Sequence, residues 1–178
     1  EESYHQARRL SQVPPRRVCH SMFSVRSLLW ALVGVLFVAS SALAGTNQEG
    51  LSFLAKKEQE EGVFKLASGL MYKEIRPGTG KTPLLNTPCK CHYSGTLIDG
   101  SEFDSSYKRG QPLTFAPNQV IKGWTEAMQL MKEGGKWELY IPSELGYGDR
   151  GAGASIPGGA VLIFTLELLE VVGPAKGE

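Results

Sequence analysis

Two different spacings of apolar residues divide the chain. In the first, Leu51 and Leu54 stand at helical spacing and are followed by a charged run, KKEQEE, at 56–61. This pattern predicts a short amphipathic helix within 47–64 that ends near Gly62. A helix of this length is marginal alone in water, so we expect it to dock on the domain or a partner, or to fray.

The second spacing begins after residue 69, where apolar and polar residues alternate between clusters of turn residues. An Asp99-Gly100 pair predicts a hairpin. One helix is predicted from about 124 to 131, before Gly134 and Gly135, and a glycine-rich loop at 145–159. Extended segments are predicted at 70–76, 89–98, 102–104, 113–115, 136–141 and 161–172. Together these elements predict an antiparallel sheet with one short helix, an α+β domain.

The N-terminal part has the pattern of a secretory signal. An uncharged run at 28–39 follows Arg26 and precedes small residues, and Ala42-Leu43-Ala44 fits a cleavage site that would leave Gly45 first. Twelve residues reach roughly 18 Å as a helix, short of a hydrocarbon core of about 30 Å, which favours a cleaved signal over an uncleaved anchor.

These boundaries give a domain plan. Met22 opens a signal peptide of normal length, so residues 1–21 are interpreted as upstream frame or a non-native extension. The remaining predictions are a signal peptide at 22–44, a charged helix and linker at 45–68, the main domain at 69–172 and a tail at 173–178. We expect the product to be secreted, with no membrane anchor after cleavage.

Charge narrows the functional classes. The 178 residues include 19 basic and 18 acidic side chains, and removing 1–44 takes five basic and two acidic ones, leaving 14 against 16. Nucleic-acid binding needs clustered basic residues, so that class is disfavoured.

Motifs for catalysis or metals fail on their spacing. Alternation places Cys89 and Cys91 on one strand face, which predicts buried free thiols; the alternative, a metal pair or redox couple, lacks C-x-x-C spacing and further ligands. His92 falls on the opposite face. The PGTGKT at 77–82 lacks the first glycine of a P-loop, and the G-x-G-x-x-G at 146–151 is followed by SIPGG, which cannot open a helix and predicts a binding loop. We therefore expect no metal and no cofactor.

Five segments in order carry a family resemblance: 93–95 (YSG), 103–106 (FDSS), 120–124 (VIKGW), 146–148 (GYG) and 161–169. Over about 69–172 the chain resembles the FKBP-type peptidyl-prolyl cis-trans isomerases. The preceding helix, the phrase SGLMYK at 68–73 and the signal are similar to the secreted macrophage infectivity potentiator branch. The resemblance implies a five-stranded antiparallel sheet around one short helix, with a pocket between them.

The resemblance also implies roles for individual residues. Trp124 would be the pocket floor, Asp104 would pair with Arg109, and two positions depart from the family pattern, with Leu113 replacing an aromatic residue and Ala152 a histidine of some relatives. The implied catalytic residues are Asp104, Tyr147, Tyr93 and Trp124. The implied substrate and inhibitor contacts are Phe103, Arg109, Leu113, Phe115, Val120, Ile121, Ile156 and Phe164.

Prolyl isomerisation suits such a pocket. The cis and trans forms of an X-Pro bond differ by about 0.5–1 kcal/mol, but the barrier is about 18–20 kcal/mol because rotation breaks amide resonance. A dry aromatic pocket weakens that resonance, and the Ile121 N–H and Tyr147 hydroxyl would hold substrate carbonyls. Asp104 has two open roles: polarising the strained amide, or holding Tyr93 and Arg109.

The expected partners follow from the resemblance. They are X-Pro peptides and proteins and macrolides of the rapamycin type, with a host-interaction or virulence role as a further implication of the branch. The alternative function is a peptide-binding chaperone module whose isomerase activity is incidental. A monomer is favoured over a dimer, because the N-terminal helix is too short to copy the long dimerisation helices of bacterial relatives.

Overall fold

The computed structural model describes residues 45–177. The predicted signal peptide and upstream extension lie outside the described residues. Every described helix and strand belongs to one compact unit, and two hydrophobic clusters of buried side chains hold it together. Within 45–177, no helix has both the length and the apolar character needed to cross a membrane.

One antiparallel sheet of seven strands organises the domain, in the order β1-β2-β6-β7-β3-β4, with β5 pairing beside β4 on β3. The antiparallel α+β prediction is confirmed, and the sheet has two more strands than the five that the resemblance implied. The strands are β1 (Val63–Lys65), β2 (Met71–Arg76), β3 (Cys89–Thr96), β4 (Glu102–Ser105), β5 (Leu113–Phe115), β6 (Lys136–Ile141) and β7 (Leu162–Val171).

Helix α2 (Lys122–Met128) packs on one face of this sheet. It begins two residues before the predicted start and ends three before the predicted end. Gly123 permits a close approach, because a Cβ at this position would stand 2.8 Å from Ile141 Cγ2 on β6. Leu139, Leu166 and Leu168 of the sheet are fully buried in the core beneath the helix. The apolar alternation of the strands therefore supplies the surface that positions α2.

Helix α1 (Gln48–Lys57) is shorter than predicted, and the prediction of a stop near Gly62 is wrong. The amides of Gln59 and Glu60 bond back only three residues, which ends the helix in tight turns. The chain then reverses through Gly62, where φ is +81°, and enters β1. The charged run therefore spans the helix end rather than its middle.

The opposite sheet face receives α1. Leu54 is buried with Met71, Tyr140 and Val161, and the Phe53 and Tyr140 rings meet edge-on at 6.2 Å. The Asn47 side chain caps the helix by accepting from the Gly50 amide at 2.7 Å. Of the three outcomes expected for this helix, docking on its own domain is the one observed.

The two cysteines lie in β3, where buried and half-buried residues alternate strictly. Cys89 and Cys91 are buried free thiols, as the alternation predicted, and burial raises the pKa of Cys89 to about 11. His92 is on the other face, where its Nδ1 lies 2.9 Å from Ser106 Oγ and its ring stacks on Tyr107. Across 45–177, no cluster of three or more His, Cys, Asp or Glu residues could hold a metal ion.

Candidate functional site

A cavity of about 720 Å³ opens between the start of α2 and the sheet. Eleven of the twelve site residues expected from the sequence line it, and the twelfth, Arg109, contacts two of them from outside the lining. Four further residues also line the cavity. The full lining is Tyr93, Phe103, Asp104, Leu113, Phe115, Gln119, Val120, Ile121, Trp124, Tyr147, Ala152, Gly153, Ser155, Ile156 and Phe164.

Trp124, in the first turn of α2, lies at the centre of the aromatic residues and is only 4% exposed. Tyr93 meets it at 5.0 Å and 76° between ring planes, and Phe164 at 4.9 Å and 81°. Phe115 is tilted against it at 5.4 Å, and Phe103 meets Phe164 edge-on at 5.4 Å. Edge-to-face contacts are favourable for the rings, and all five of these aromatic residues line the cavity.

The Trp124 indole nitrogen is the one buried side-chain N or O within 45–177 that makes no hydrogen bond. An indole N–H can only donate, and a buried donor without an acceptor costs about 1–3 kcal/mol. The Trp124 N–H is therefore a donor that the described part of the chain leaves unpaired. No motif in the sequence indicates this feature.

The cavity wall depends on a glycine in β3. A Cβ on Gly95 would stand 2.6 Å from both Phe103 and Phe164 ring atoms, closer than side chains approach one another. Gly95 therefore lets the two phenylalanines lie directly over the strand. This explains the glycine of the YSG segment by packing rather than by a turn.

A polar network borders the aromatic wall. The Tyr93 hydroxyl donates to Asp104 Oδ2 at 2.6 Å and accepts from Arg109 Nη2 at 2.7 Å, while Arg109 Nη1 donates to Asp104 Oδ1. The Arg109 guanidinium also lies 5.5 Å from the Tyr93 ring centre. Both carboxylate oxygens of Asp104 are thus engaged by protein donors.

Hydrogen bonds and burial determine which groups of this network are charged. Partial burial opposes the charge on Asp104, but the Tyr93 and Arg109 hydrogen bonds outweigh it and hold the pKa of that carboxyl below its usual 3.8. Burial, reinforced by the bond to Asp104, raises the pKa of Tyr93 above 10.0. At neutral pH the edge of the cavity therefore carries a carboxylate, a neutral phenol and a guanidinium.

One rim is the turn that leads into α2. A short 3₁₀ helix (Pro117–Gln119) precedes Val120, and Ile121 caps α2 with its carbonyl, which accepts from the Trp124 and Thr125 amides at 3.0 Å. The Ile121 amide itself makes no hydrogen bond to any part of the chain that the structure describes. It remains available to a bound carbonyl.

The other rim is the glycine-rich segment 143–159, which we call the rim loop. It contains two 3₁₀ turns, Ser143–Leu145 and Gly148–Arg150, and a bridge in which Ala152 and Ile156 exchange backbone hydrogen bonds of 2.9 and 3.1 Å. Tyr147, between the turns, is 41% exposed, whereas Ile156 is buried. The G-x-G-x-x-G segment thus forms part of the rim loop and opens no α-helix, as predicted.

Sequence reasoning assigned no lining role to Gln119, Ala152, Gly153 and Ser155. The last three fall inside the predicted loop, and of these only Ala152 was singled out, as a departure from the family pattern. The Gln119 side chain accepts from the Ala116 amide at 2.9 Å and supports the turn before α2. The sequence could have indicated that Gln119 lines the cavity, because it directly precedes the VIKGW segment.

The lining determines what chemistry the cavity suits. Aromatic and branched side chains predominate, one carboxylate lies at the edge, and no histidine, cysteine or lysine is among the lining residues. A cavity lined in this way suits binding of an apolar group next to a peptide carbonyl. It offers no pair of nucleophile and base for bond cleavage.

Comparisons with known proteins agree with this geometry. The family model described as FKBP-type peptidyl-prolyl cis-trans isomerase matches residues 80–169. A macrophage infectivity potentiator of Trypanosoma cruzi is 41% identical over 84% of this chain and 85% of that protein. The FKBP-type 22 kDa isomerase of Escherichia coli is 50% identical over 70% of this chain, but the chain spans only 60% of that protein's length.

A solved structure extends the comparison to the fold. The crystal structure of a peptidyl-prolyl cis-trans isomerase from Pseudomonas syringae superposes with a TM-score of 0.66 at 41% identity, covering 70% of this chain and 92% of that one.

Proposed function

Because the chain belongs to the FKBP-type peptidyl-prolyl cis-trans isomerases, we propose that it is a secreted isomerase that rotates X-Pro bonds in the aromatic cavity and binds rapamycin-type macrolides there. The family membership makes it a peptidyl-prolyl cis-trans isomerase acting on proline-containing peptides. The secretion, the macrolide binding and the roles of individual residues are the proposed part. The observation that carries the site assignment is the Trp124 floor, bordered edge-on by aromatic rings.

The proposed mechanism uses desolvation. Trp124 receives the proline ring, and the surrounding rings keep water from the amide that precedes it. Amide resonance places negative charge on oxygen and is favoured by water, so transfer to this cavity weakens it and favours the twisted transition state. Each tenfold acceleration requires about 1.4 kcal/mol of such preferential stabilisation. No bond breaks, so no nucleophile is required.

Two donors hold the peptide in the proposed pose. The Ile121 amide has no partner within the described residues, and the Tyr147 hydroxyl lies on the facing rim. Carbonyls on either side of the twisting bond would accept from them. Bonds that fit only the twisted peptide lower the barrier rather than merely increasing affinity.

Asp104 is proposed to hold the wall rather than polarise the amide. Both of its oxygens already accept hydrogen bonds, from Tyr93 and from Arg109. A carboxylate engaged in this way has little capacity left for a substrate, and its removal would free the Tyr93 ring at the cavity edge. This favours the second of the two roles left open by the sequence.

Secretion is proposed from the signal-like run and the Ala42-Leu43-Ala44 triplet. In this proposal residues 22–44 are removed and the isomerase domain is 69–172. Expression of the chain from Met22 in a secreting host, followed by N-terminal sequencing of the exported product, tests it. Export with Gly45 first is expected, and retention of an uncut product would overturn it.

The decisive test of the site is a protease-coupled isomerase assay on an X-Pro peptide, with and without a saturating rapamycin-type macrolide. We expect activity that the macrolide abolishes and that Trp124→Leu reduces strongly. Activity that survived both treatments would show that the cavity is not the site. Activity lost with Trp124→Leu but untouched by macrolide would remove only the macrolide part of the proposal.

A host-directed role is included because the trypanosomal relative is named a macrophage infectivity potentiator. Purified protein added during infection of macrophages tests it. An effect on pathogen entry that Trp124→Leu or macrolide removes would support a role of the isomerase site. An effect that persists would belong to the alternative, a binding function in which turnover is incidental, and no effect would remove the host-directed part.

A further inference from the structure

Residues 45–47, which we call the N-terminal strap, donate three hydrogen bonds to two carboxylates of the rim loop. The Gly45 amide nitrogen donates to Asp149 Oδ1 at 2.5 Å. The Thr46 amide donates to Glu144 Oε1 at 2.9 Å, and the Thr46 hydroxyl donates to Glu144 Oε2 at 2.8 Å. Both carboxylates thus take donors from one short segment nearly 100 positions away in the sequence.

Two further hydrogen bonds extend the attachment along the rim loop. The Ser143 amide donates to the Thr46 hydroxyl at 2.9 Å, and the Asn47 amide donates to the Gly159 carbonyl at 2.9 Å. The Thr46 side chain is buried in the process. The strap therefore holds the beginning of the rim loop at Ser143, its middle at Asp149 and its end at Gly159.

The held positions are those that set the cavity rim. Gly159 donates in turn to the Gly148 carbonyl at 3.0 Å, which joins the loop end to the residue that follows Tyr147. Tyr147 and Ile156 both line the cavity from this loop. A change in how firmly the strap is bound should therefore alter the placement of these side chains.

The backbone nitrogen of Gly45, the first atom of the strap, changes its charge if the chain is cut after Ala44. In the uncut chain the Gly45 nitrogen is a neutral amide, whereas cleavage after Ala44 turns the same atom into an α-ammonium group. Two carboxylates flank it: Asp149 bonds it directly, and Glu144 Oε1 stands 2.5 Å from where a Cβ on Gly45 would be. The acceptor is a carboxylate in both forms, so cleavage turns a charge-assisted hydrogen bond into an ion pair between an ammonium and a carboxylate.

We propose that the α-amino group released at Gly45 is a positioning group for isomerisation, which pairs with Asp149 and draws the rim loop into its working arrangement around the cavity. The inference rests on the proposed signal cleavage. In this proposal, cleavage of the signal both releases the protein and changes the arrangement of the rim loop at the site.

The pairing has a definite pH window. The charged groups that face the Gly45 nitrogen are the carboxylates of Glu144 and Asp149. A free α-amino group has a pKa of about 8, and pairing with a carboxylate raises it. The stabilisation is therefore present at pH 7 and is lost as the pH rises through the raised value, because the amine then loses its charge.

The test compares residues 45–178 with three N-termini: a free Gly45, an N-acetylated Gly45, and one retained Ala44. The free Gly45 and Ala44 forms are released from fusions cut in vitro, and the acetylated form is made from the free one with an N-terminal acetyltransferase. Every described helix and strand and both hydrophobic clusters lie within this part of the chain, so it contains its own core. At pH 7 we expect kcat/KM to be about two- to fivefold higher with free Gly45, the range of an exposed ion pair, and this difference to disappear by about pH 10. Equal activity of the three forms at pH 7, or a difference that does not change with pH, would overturn the proposal.

Variants of Asp149 separate positioning from general stability. Asp149→Asn should remove most of the difference between the free and acetylated forms at pH 7, leaving only the part due to the nearby Glu144 carboxylate, and Asp149→Glu should restore part of it. An undiminished difference in Asp149→Asn, in a chain with unchanged circular dichroism, would also overturn the pairing.

The N-terminus is defined chemically here, so this result does not depend on where a cell cuts the chain. All three forms should remain macrolide-sensitive isomerases even if the strap proposal fails. Failure of the proposed site would instead appear as activity that survives both macrolide and Trp124→Leu in every form.

Discussion

Two aromatic groups on the same sheet face differ in how their rings meet. The pocket cluster, defined by Tyr93, Phe103, Phe115, Trp124 and Phe164, meets mostly edge-to-face and borders a cavity. The edge ladder, defined by Phe64, Tyr72 and Trp137 on β1, β2 and β6, is stacked, with Tyr72 and Trp137 only 4.1 Å apart and 9° from parallel.

The two tryptophans also differ in their polar atoms. Trp137 Nε1 donates to Glu74 at 3.2 Å, whereas Trp124 Nε1 has no partner within 45–177. The stacked rings of the edge ladder pack directly on one another and leave no room for a ligand. The rings of the pocket cluster meet at steep angles and line a cavity that could hold one. Aromatic content alone therefore does not distinguish a site from a scaffold; ring angle and an unpaired donor do.

The largest effect should come from exchanging each tryptophan for leucine. Trp124→Leu should lower kcat/KM about 100-fold, or about 2.7 kcal/mol, because the proline ring loses its flat apolar surface. Trp137→Leu, the matched control, should change kcat/KM less than threefold while lowering stability. Steady-state assays of variants that circular dichroism shows to be equally folded measure both effects. Equal losses of kcat/KM in the two variants would mean that the pocket cluster and the edge ladder do not differ in function.

The next effect concerns the edge ladder alone. Tyr72→Ala removes the ring that stacks on both neighbours and should lower the free energy of unfolding by about 2 kcal/mol, with kcat/KM unchanged. Phe64→Ala at the exposed end of the ladder, where the ring is 56% exposed, should cost less than half as much. Denaturant titration measures both. A fall in kcat/KM with Tyr72→Ala would mean that the ladder is coupled to the pocket.

A smaller effect is expected at the polar edge of the pocket cluster. Arg109→Met removes a donor from both Asp104 and Tyr93 and should lower kcat/KM about tenfold, which is about 1.4 kcal/mol. It should also shift the acid limit of activity. The depressed pKa of Asp104 keeps the carboxylate charged until the pH falls below 3.8, and loss of Arg109 raises that pKa, so activity should decline at higher pH than in the parent.

Lys108→Met is the control for Arg109, because Lys108 pairs at 2.6 Å with Glu102 on the surface nearby. A pH profile of kcat/KM is the readout, and the control should keep the parent profile. Identical profiles for parent and Arg109→Met would contradict the holding role of Asp104.

The smallest effect should be that of Tyr147→Phe. Loss of one neutral hydrogen bond of about 1 kcal/mol should lower kcat/KM about fivefold, with KM changing less than kcat if the bond forms mainly to the twisted peptide. Tyr107→Phe removes a hydroxyl bound to Glu167 away from the cavity and should leave kcat unchanged. An unchanged kcat in Tyr147→Phe would remove this hydroxyl from the mechanism.

Alternating residues were sufficient to predict most of the sheet. Lys136–Ile141 and Leu113–Phe115 match their predicted ranges, and the face shared by Cys89 and Cys91 follows directly from alternation. The end of α1 could not be predicted this way, because its charged residues are good helix formers and tertiary pairing of Val63–Lys65 decides where the helix ends.

The candidate site came from ordered segments, not from periodicity. Those segments located the aromatic residues but not the angles between their rings, which depend on packing around Gly95 and Gly123. The strap was also beyond sequence reasoning, because its bonds join residues 45–47 to a loop about 100 positions later. Long-range hydrogen bonds of this kind leave no local pattern.

The two buried thiols of β3 can report on unfolding of the domain, because a reagent can reach them only when the core opens. Cys89 and Cys91 are the only cysteines in 45–178, and both are completely buried in the core. Alkylating reagents attack the thiolate, and burial opposes its formation at both positions. Their alkylation should therefore require the sheet to open. The rate at which a reagent labels these two thiols then reports how often the sheet opens, with no added probe.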